Sequence, residues 1–276
     1  MILACGTVLF RQHPLEKALE VIKAAGYEYV ETQAVGPWCP YVTIGETDPV
    51  KYAELVRNFG FKGTTAIWMP CGTIISNPDS VPMGIKTIEW ASAAGIPVVN
   101  TGDGYKAPEI NDEKAFEIYS ERMRKILEAA EKHSVHIAIE PHGTFSLTGE
   151  GLRRLMSISD SPWLGINYDA CNVYRAAYVE SRKEGSVAVS TGKKEDELKV
   201  LKSIVNRVVH FHAKDIRENH MCPLGEGDVQ LKACFDVLKQ AGYDGAVSLE
   251  TEGDEDLEVS KMFAEKGLVF LKKHLL

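Results

Sequence analysis

Short β-branched segments alternate with amphipathic helical patterns along the whole chain, roughly every 30 to 40 residues. The eight predicted strands span residues 3–10, 27–33, 61–69, 97–101, 135–141, 164–170, 208–214 and 246–251. Because parallel strands need a long crossover, usually a helix, this alternation predicts βαβ units in a parallel sheet. Eight such units in 276 residues favour one (β/α)8 barrel, the TIM-barrel architecture. An open, doubly wound sheet is the alternative that periodicity alone leaves open.

The predicted helices carry their apolar residues on one face. Between residues 111 and 133, six apolar residues recur at helical spacing and fall on one face: Phe116, Tyr119, Met123, Ile126, Leu127 and Ala130. Gly26, Gly60 and Gly95 each follow a helical pattern and precede a strand, as helix-ending glycines do. No linker or change of composition divides the chain, so we expect residues 1–276 to form a single domain.

The last four predicted strands share an alternation of apolar and polar residues. Successive side chains of a strand point to opposite faces, and the outward face of a barrel must pack against helices. The apolar parity is therefore expected to point outward and the polar parity inward. Each of these strands then sends an ionisable side chain inward near its carboxyl end: Glu140, Asp169, His212 and Glu250.

These four inward groups predict a metal site. Burying them without a partner would cost several kcal/mol each, and a divalent cation removes that cost by neutralising carboxylates and accepting an imidazole lone pair. Three carboxylates and one imidazole form a hard, oxygen-rich ligand set. We expect Mn²⁺ first, and Mg²⁺, Co²⁺ and Zn²⁺ also fit. Taken singly, any one of the four could instead form a structural salt bridge, for example with Lys214.

At these residues the chain resembles the xylose isomerase-like barrel superfamily, the sugar phosphate isomerase/epimerase group. The matching stretches are IAIEPHG with Glu140, INYDACN with Asp169, HFHAKD with His212, and SLETEG with Glu250. The stretch PLGEGDV, residues 223–229, also looks like the segment that follows the HxKD element in these proteins. The resemblance covers nearly the whole chain, and it is specific for the superfamily but not for the substrate.

The resemblance implies an isomerase or epimerase acting on a ketose, keto-sugar or cyclitol ketone. In such epimerases two metal-binding glutamates exchange protons with the substrate, so Glu140 and Glu250 become the catalytic acid–base pair. Deprotonation next to a metal-bound carbonyl would then proceed through an enediolate. Four more residues are expected to bind substrate: His142, Asn172, Lys214 and Trp68. Glu31 and Asp103 are weaker candidates as acceptors for substrate hydroxyls.

One departure from the family pattern keeps a second reaction open. Many relatives carry histidine three residues after the metal-binding aspartate of strand six, where this chain has Asn172, and asparagine cannot shuttle protons as imidazole does. A lyase would use the same metal and base to expel a β-leaving group, as inosose and dehydroshikimate dehydratases or oxidised-glycoside-cleaving relatives do. A non-catalytic sugar-binding barrel is a third alternative, against which the intact ligand set argues.

Composition limits the partners. The formal net charge is −8 and the pI is about 5.6, which disfavours nucleic acid as a ligand. The extra histidines that the multi-zinc site of the related endonuclease IV needs are also missing. No apolar run reaches the ~20 residues of a membrane span, the first ten residues do not resemble a signal peptide, and the six cysteines form no CxxC pair. We therefore expect a cytoplasmic enzyme with a small-molecule substrate.

A long insertion follows Asp169. About two dozen residues, including Tyr178 and Arg182, separate it from the next helical pattern near Glu195. In a barrel this connection lies on the carboxyl face, where long loops often serve binding. It could equally pack on the rim of the barrel. Barrels of this group commonly pair through such loops, so the resemblance also allows a homo-oligomer.

Overall fold

A closed barrel of parallel strands forms the centre of the molecule. The computed structural model describes residues 1–175, 195–218, 220–252 and 254–276. The barrel strands are β1 (Ile2–Gly6), β2 (Tyr29–Gln33), β3 (Gly63–Thr73), β4 (Val98–Gly104), β5 (His136–Gly143), β6 (Leu164–Asp169), β7 (Val208–Ala213) and β10 (Ala246–Leu249). Their order around the barrel is β1, β10, β7, β6, β5, β4, β3, β2, and neighbouring strands pair in parallel. The predicted (β/α)8 barrel is confirmed.

Helices surround the barrel and cover its outward face. The described α-helices are α1 (Leu15–Ala25), α2 (Pro49–Asn58), α3 (Ser80–Ala94), α4 (Asp112–His133), α5 (Gly149–Met156), α6 (Ala170–Tyr174), α7 (Glu197–Ile204), α8 (Leu231–Gln240) and α9 (Leu257–Leu275). In α4 the predicted apolar face is buried from Tyr119 to Ala130, and the side chain of Asn111 caps the helix by accepting from Lys114 N–H. Gly26 and Gly95 end α1 and α3 in the left-handed conformation, as expected.

The first predicted strand is too long. The predicted strand spans residues 3–10, but β1 ends at Gly6 and Thr7–Phe10 form a buried turn of 3-10 helix. A continuous apolar run does not distinguish a buried strand from a buried helical turn, and here the chain has to leave the sheet to reach α1. A short antiparallel pair of strands, β8 (Asp215–Arg217) and β9 (His220–Cys222), follows β7 and was not predicted.

The expected orientation of side chains fails at one position in β7. The pairing of β6 with β7 shifts between Ile166 and Asn167, so that β7 contains one extra residue, as in a β-bulge. Val209 was expected to point outward, but it packs against the small cluster formed by Ala66, Val98 and Ala138. Gly165 makes room for it, because a Cβ there would lie 2.6 Å from both Val209 methyl groups. Beyond this bulge the predicted parity of His210 and His212 holds.

Three further predictions concern the long insertion, the cysteines and the absence of a membrane span. Tyr178 and Arg182 of the predicted insertion lie outside the described residues. The five cysteine side chains that the structure describes form no disulfide. Within the described residues, none of the helices combines the length and the apolar character needed to cross a bilayer.

Candidate functional site

Glu140, Asp169 and His212 meet inside the carboxyl end of the barrel. They lie on the adjacent strands β5, β6 and β7, and one potential ligand atom from each lies within 4.8 Å of the others. All three side chains are buried. Parity along the strands predicted this juxtaposition, and the structure brings the three together.

The carboxylate of Glu140 is fixed by side-chain donors. Asn172 Nδ2 donates to Oε1 at 2.7 Å, while Trp68 Nε1 and Asn167 Nδ2 donate to Oε2 at 3.1 and 3.2 Å. Burial raises the pKa of Glu140, against the opposing effect of the nearby His212. Trp68 and Asn172, expected to contact substrate, thus also hold a candidate metal ligand in place.

Lys214 joins Glu250 to the other site residues. Its ammonium lies 3.0 Å from Asp169 Oδ2 and 2.7 Å from Glu250 Oε2, with Glu252 Oε1 at 3.8 Å. Burial disfavours the charged lysine, but the two nearer carboxylates outweigh it and hold its pKa well above the usual value. Glu250 therefore contacts the site through a buried cation, outside the compact group of Glu140, Asp169 and His212.

The ring of His212 lies between two carboxylates. Nδ1 is 3.2 Å from Glu140 Oε2, and Nε2 is 2.8 Å from Glu31 Oε1. Burial opposes the imidazolium form, yet Glu31 and Glu140 together raise the pKa of His212 well above its usual value. Glu31, on β2 across the barrel, also accepts a hydrogen bond from Asn100 Nδ2 at 2.9 Å. It is not open to a substrate hydroxyl.

A divalent cation fits the donors that the site offers. Asp169 Oδ1 accepts from the backbone N–H of Asn172, which leaves Oδ2 for another partner. Asp169 Oδ2 and Glu250 Oε2 lie beside the Lys214 ammonium, yet no described residue donates a well-aligned hydrogen bond to either oxygen. The carboxylates of Glu140, Asp169 and Glu250, together with the imidazole of His212, form a ligand set that Mn²⁺, Mg²⁺ and Zn²⁺ accept.

His142 lies at the mouth of the barrel. Its side chain is exposed, and its ring meets the edge of Trp68 with the centroids 6.0 Å apart. Its backbone N–H donates to Ser146 Oγ at 2.8 Å. Asn172 Oδ1 is buried and has no hydrogen-bond partner among the described residues. Both side chains can therefore face a ligand that enters from the carboxyl side.

Two buried aspartates near the site, Asp103 and Asp215, accept hydrogen bonds from loop residues. Asp103 accepts from Phe145 N–H at 2.7 Å and from Ser146 Oγ at 2.5 Å, so it is not free to bind a substrate hydroxyl. Asp215, next to Lys214, accepts backbone N–H groups from the segment that follows: those of Ile216, Gly225, Gly227 and Val229. The resemblance of PLGEGDV to the family segment thus corresponds to a loop fixed by one carboxylate.

Comparison with curated proteins gives relatives that include several inosose dehydratases. The inosose dehydratase of Lactiplantibacillus plantarum is 28% identical over 169 residues, or 54% of this chain and 51% of that protein. The chain spans between 51% and 59% of the length of the first three curated relatives that it matches.

Solved structures match over the whole chain. A D-tagatose 3-epimerase-like protein has a TM-score of 0.76 at 21% identity, with 100% of this chain and 97% of that chain covered. The zinc-bound IolI protein has a TM-score of 0.74 at 16% identity, with 100% and 98% covered. The family model of the xylose isomerase-like TIM barrel matches residues 19–274. The chain therefore belongs to the xylose isomerase-like TIM barrel family.

Proposed function

We propose that this protein is a divalent-metal-dependent isomerase or epimerase of ketoses, keto-sugars or cyclitol ketones. Glu140, Asp169, His212 and Glu250 are the proposed metal ligands. The observation that carries the proposal is the buried group of Glu140, Asp169 and His212, whose potential ligand atoms lie within 4.8 Å of one another. Glu250 is joined to this group through the Lys214 ammonium. The IolI protein, which has a similar fold, binds a zinc atom, and this supports a metal-dependent function for the present chain.

When bound, the metal would supply a Lewis acid that polarises the substrate carbonyl. Glu250, whose Oε2 lies 2.7 Å from the Lys214 ammonium, removes the proton from the adjacent carbon. Glu140, which Trp68, Asn167 and Asn172 hold in one orientation, returns a proton to the other face.

The remaining site residues would bind and orient the substrate. Lys214 can donate to a substrate oxygen, because its ammonium lies between two of the proposed metal ligands, Asp169 and Glu250. Asn172 Oδ1 is a buried acceptor for a hydroxyl. His142 and the indole of Trp68 border the mouth of the barrel, where a sugar or cyclitol ring can pack against them.

A lyase is the second candidate, and two observations favour it. Elimination needs a proton for the departing hydroxyl, and the Lys214 ammonium lies 2.7 Å from Glu250, so that acid and base are neighbours. Asn172 occupies the position where many family epimerases carry histidine. The curated relatives that are inosose dehydratases point in the same direction.

The decisive experiment measures metal content and the fate of the α-proton. Metal-free protein is reconstituted with Mn²⁺, analysed for bound metal, and incubated in D₂O with ketoses, keto-sugars and inososes. We expect about one ion per chain and deuterium at the carbon next to the carbonyl, without loss of water. An ultraviolet-absorbing enone would instead identify the lyase. Failure to bind any metal would refute both candidates.

Substitution of the proposed base separates catalysis from folding. We expect Glu250→Gln to lower turnover by orders of magnitude, because amide nitrogen and oxygen cannot accept the α-proton. Glu54→Gln is the matched control, since Glu54 is exposed on α2. Equal turnover in the wild type and Glu250→Gln would exclude Glu250 as the base.

A further inference from the structure

The contacts of His212 assign a different role to each ring nitrogen. Glu31 places both carboxylate oxygens near Nε2, at 2.8 and 3.0 Å. A carboxylate in such a contact can only accept, so Nε2 must carry the hydrogen. Nδ1 is directed to the other side of the ring, toward Glu140 Oε2 at 3.2 Å. The nitrogen that faces the proposed metal ligands is therefore Nδ1.

Glu31 is built into the barrel interior rather than into the substrate space. Its side chain has no exposed surface. Asn100 Nδ2 donates to Oε1 at 2.9 Å from β4, on the far side of β3. A buried carboxylate that receives one amide N–H and one imidazole N–H is held rigidly, and it holds its partners in return.

We propose that Glu31 is a positioning residue of the metal site, which accepts Nε2–H of His212 and so presents Nδ1 to the ion. The proposal rests on the metal-dependent function proposed above. A second carboxylate that orients a metal-binding imidazole fixes both its tautomer and its rotation, and removal of such a partner typically lowers metal affinity 10- to 100-fold. Asn100 fixes Glu31 in turn.

A second metal ion is the competing explanation of the same contacts. Glu31, His210 and His212 also bring potential ligand atoms within 4.8 Å of one another. However, both ring nitrogens of His210 have partners: Nδ1 lies 3.0 Å from Asn167 Oδ1, and Nε2 lies 3.3 Å from Thr65 Oγ1. His210 is thus occupied by hydrogen bonds, which favours the positioning role of Glu31.

The tautomer can be read directly in the unmodified protein. Long-range ¹H–¹⁵N correlation spectra of ¹⁵N-histidine protein, with and without Zn²⁺, report which ring nitrogen binds metal and which carries hydrogen. His212 is the only histidine among the proposed ligands, so the resonances that change with zinc identify it. We expect zinc on Nδ1 and hydrogen on Nε2. Zinc on Nε2 would overturn the proposal.

Metal affinity gives the second readout. Isothermal titration of metal-free protein with Mn²⁺ should show a 10- to 100-fold higher Kd for Glu31→Gln than for wild type. The control is Asp103→Asn, which alters another fully buried carboxylate and should leave the Kd within about two-fold. Equal Kd values for Glu31→Gln and wild type, or two ions per wild-type chain, would refute the positioning role. Absence of binding in the wild type would instead refute the proposed function. If Glu31→Gln does not fold, the zinc spectra of the wild type decide.

Discussion

Asp103 should make the stability of this protein depend on pH in an unusual direction. Its carboxylate is fully buried at the end of β4 and accepts from Phe145 N–H and Ser146 Oγ. Burial raises its pKa from 3.8 to about 6, although both hydrogen bonds act in the opposite direction. The folded protein therefore holds a proton on Asp103 over a pH range in which the unfolded chain has released it.

The sign and size follow from the two pKa values. Because the folded pKa is the higher one, the stabilisation is fully present below pH 3.8 and is lost as the pH rises through about 6. The difference between the two values corresponds to ~3 kcal/mol, of which ~2 kcal/mol falls between pH 4 and pH 8. Asp103→Asn should remove this contribution. Its amide oxygen can keep the bond from Phe145 N–H while its amide nitrogen donates to Ser146 Oγ, so the variant should fold.

Urea unfolding of both proteins between pH 4 and pH 8, with chelator present, measures the effect. Relative to the wild type, Asp103→Asn should become more stable by ~2 kcal/mol as the pH rises across this range. Comparing the two proteins at each pH cancels the contributions of other carboxyl groups. If the difference between their free energies of unfolding is the same at pH 4 and pH 8, burial does not raise the pKa of Asp103.

Two further substitutions test the site. In titration calorimetry, Lys214→Met should bind Mn²⁺ several-fold more tightly than wild type, because the ammonium no longer competes for Asp169 and Glu250. Its turnover should fall at least 100-fold. Weaker metal binding would show that Lys214 does not compete with the ion. Trp68→Phe removes one hydrogen-bond donor from Glu140 and keeps an aromatic ring, and we expect a few-fold rise in the Kd for Mn²⁺. An unchanged Kd would show that this hydrogen bond does not hold the Glu140 carboxylate in place.

Much of the fold was predictable because periodicity reports directly on the environment of a side chain. All eight predicted barrel strands are present, and the helix-ending Gly26 and Gly95 lie where a left-handed residue is needed. The errors have local causes. The bulge at Val209 adds one residue to β7, and the alternation of apolar and polar residues does not reveal it. Val209 fits because Gly165 on the neighbouring strand has no side chain, and no sequence pattern links these two residues.

The site was predictable along strands but not across the barrel. Glu140, Asp169 and His212 were predicted to meet because they point inward near the carboxyl ends of adjacent strands, and the structure brings them together. Contacts between strands that are not neighbours were missed. Glu31 was expected to accept a substrate hydroxyl, whereas its carboxylate contacts His212. Trp68, expected to contact substrate, also donates to Glu140. Contacts across the interior depend on side-chain length and barrel closure, which the order of residues along one strand does not encode.

The charges in this interior explain why a divalent ion suits it. Four formally negative carboxylates face two cationic groups in the metal-free protein: Glu31, Glu140, Asp169 and Glu250 against His212 and Lys214. Burial of an excess of negative charge is costly, and the raised pKa of Glu140 is one way the protein reduces it. A divalent ion reduces the excess further, even though Nδ1 of His212 must give up its proton to bind it. Glu31 then retains a neutral imidazole N–H as its partner. Its negative charge therefore remains next to the metal site, where it favours the cation as well as the tautomer.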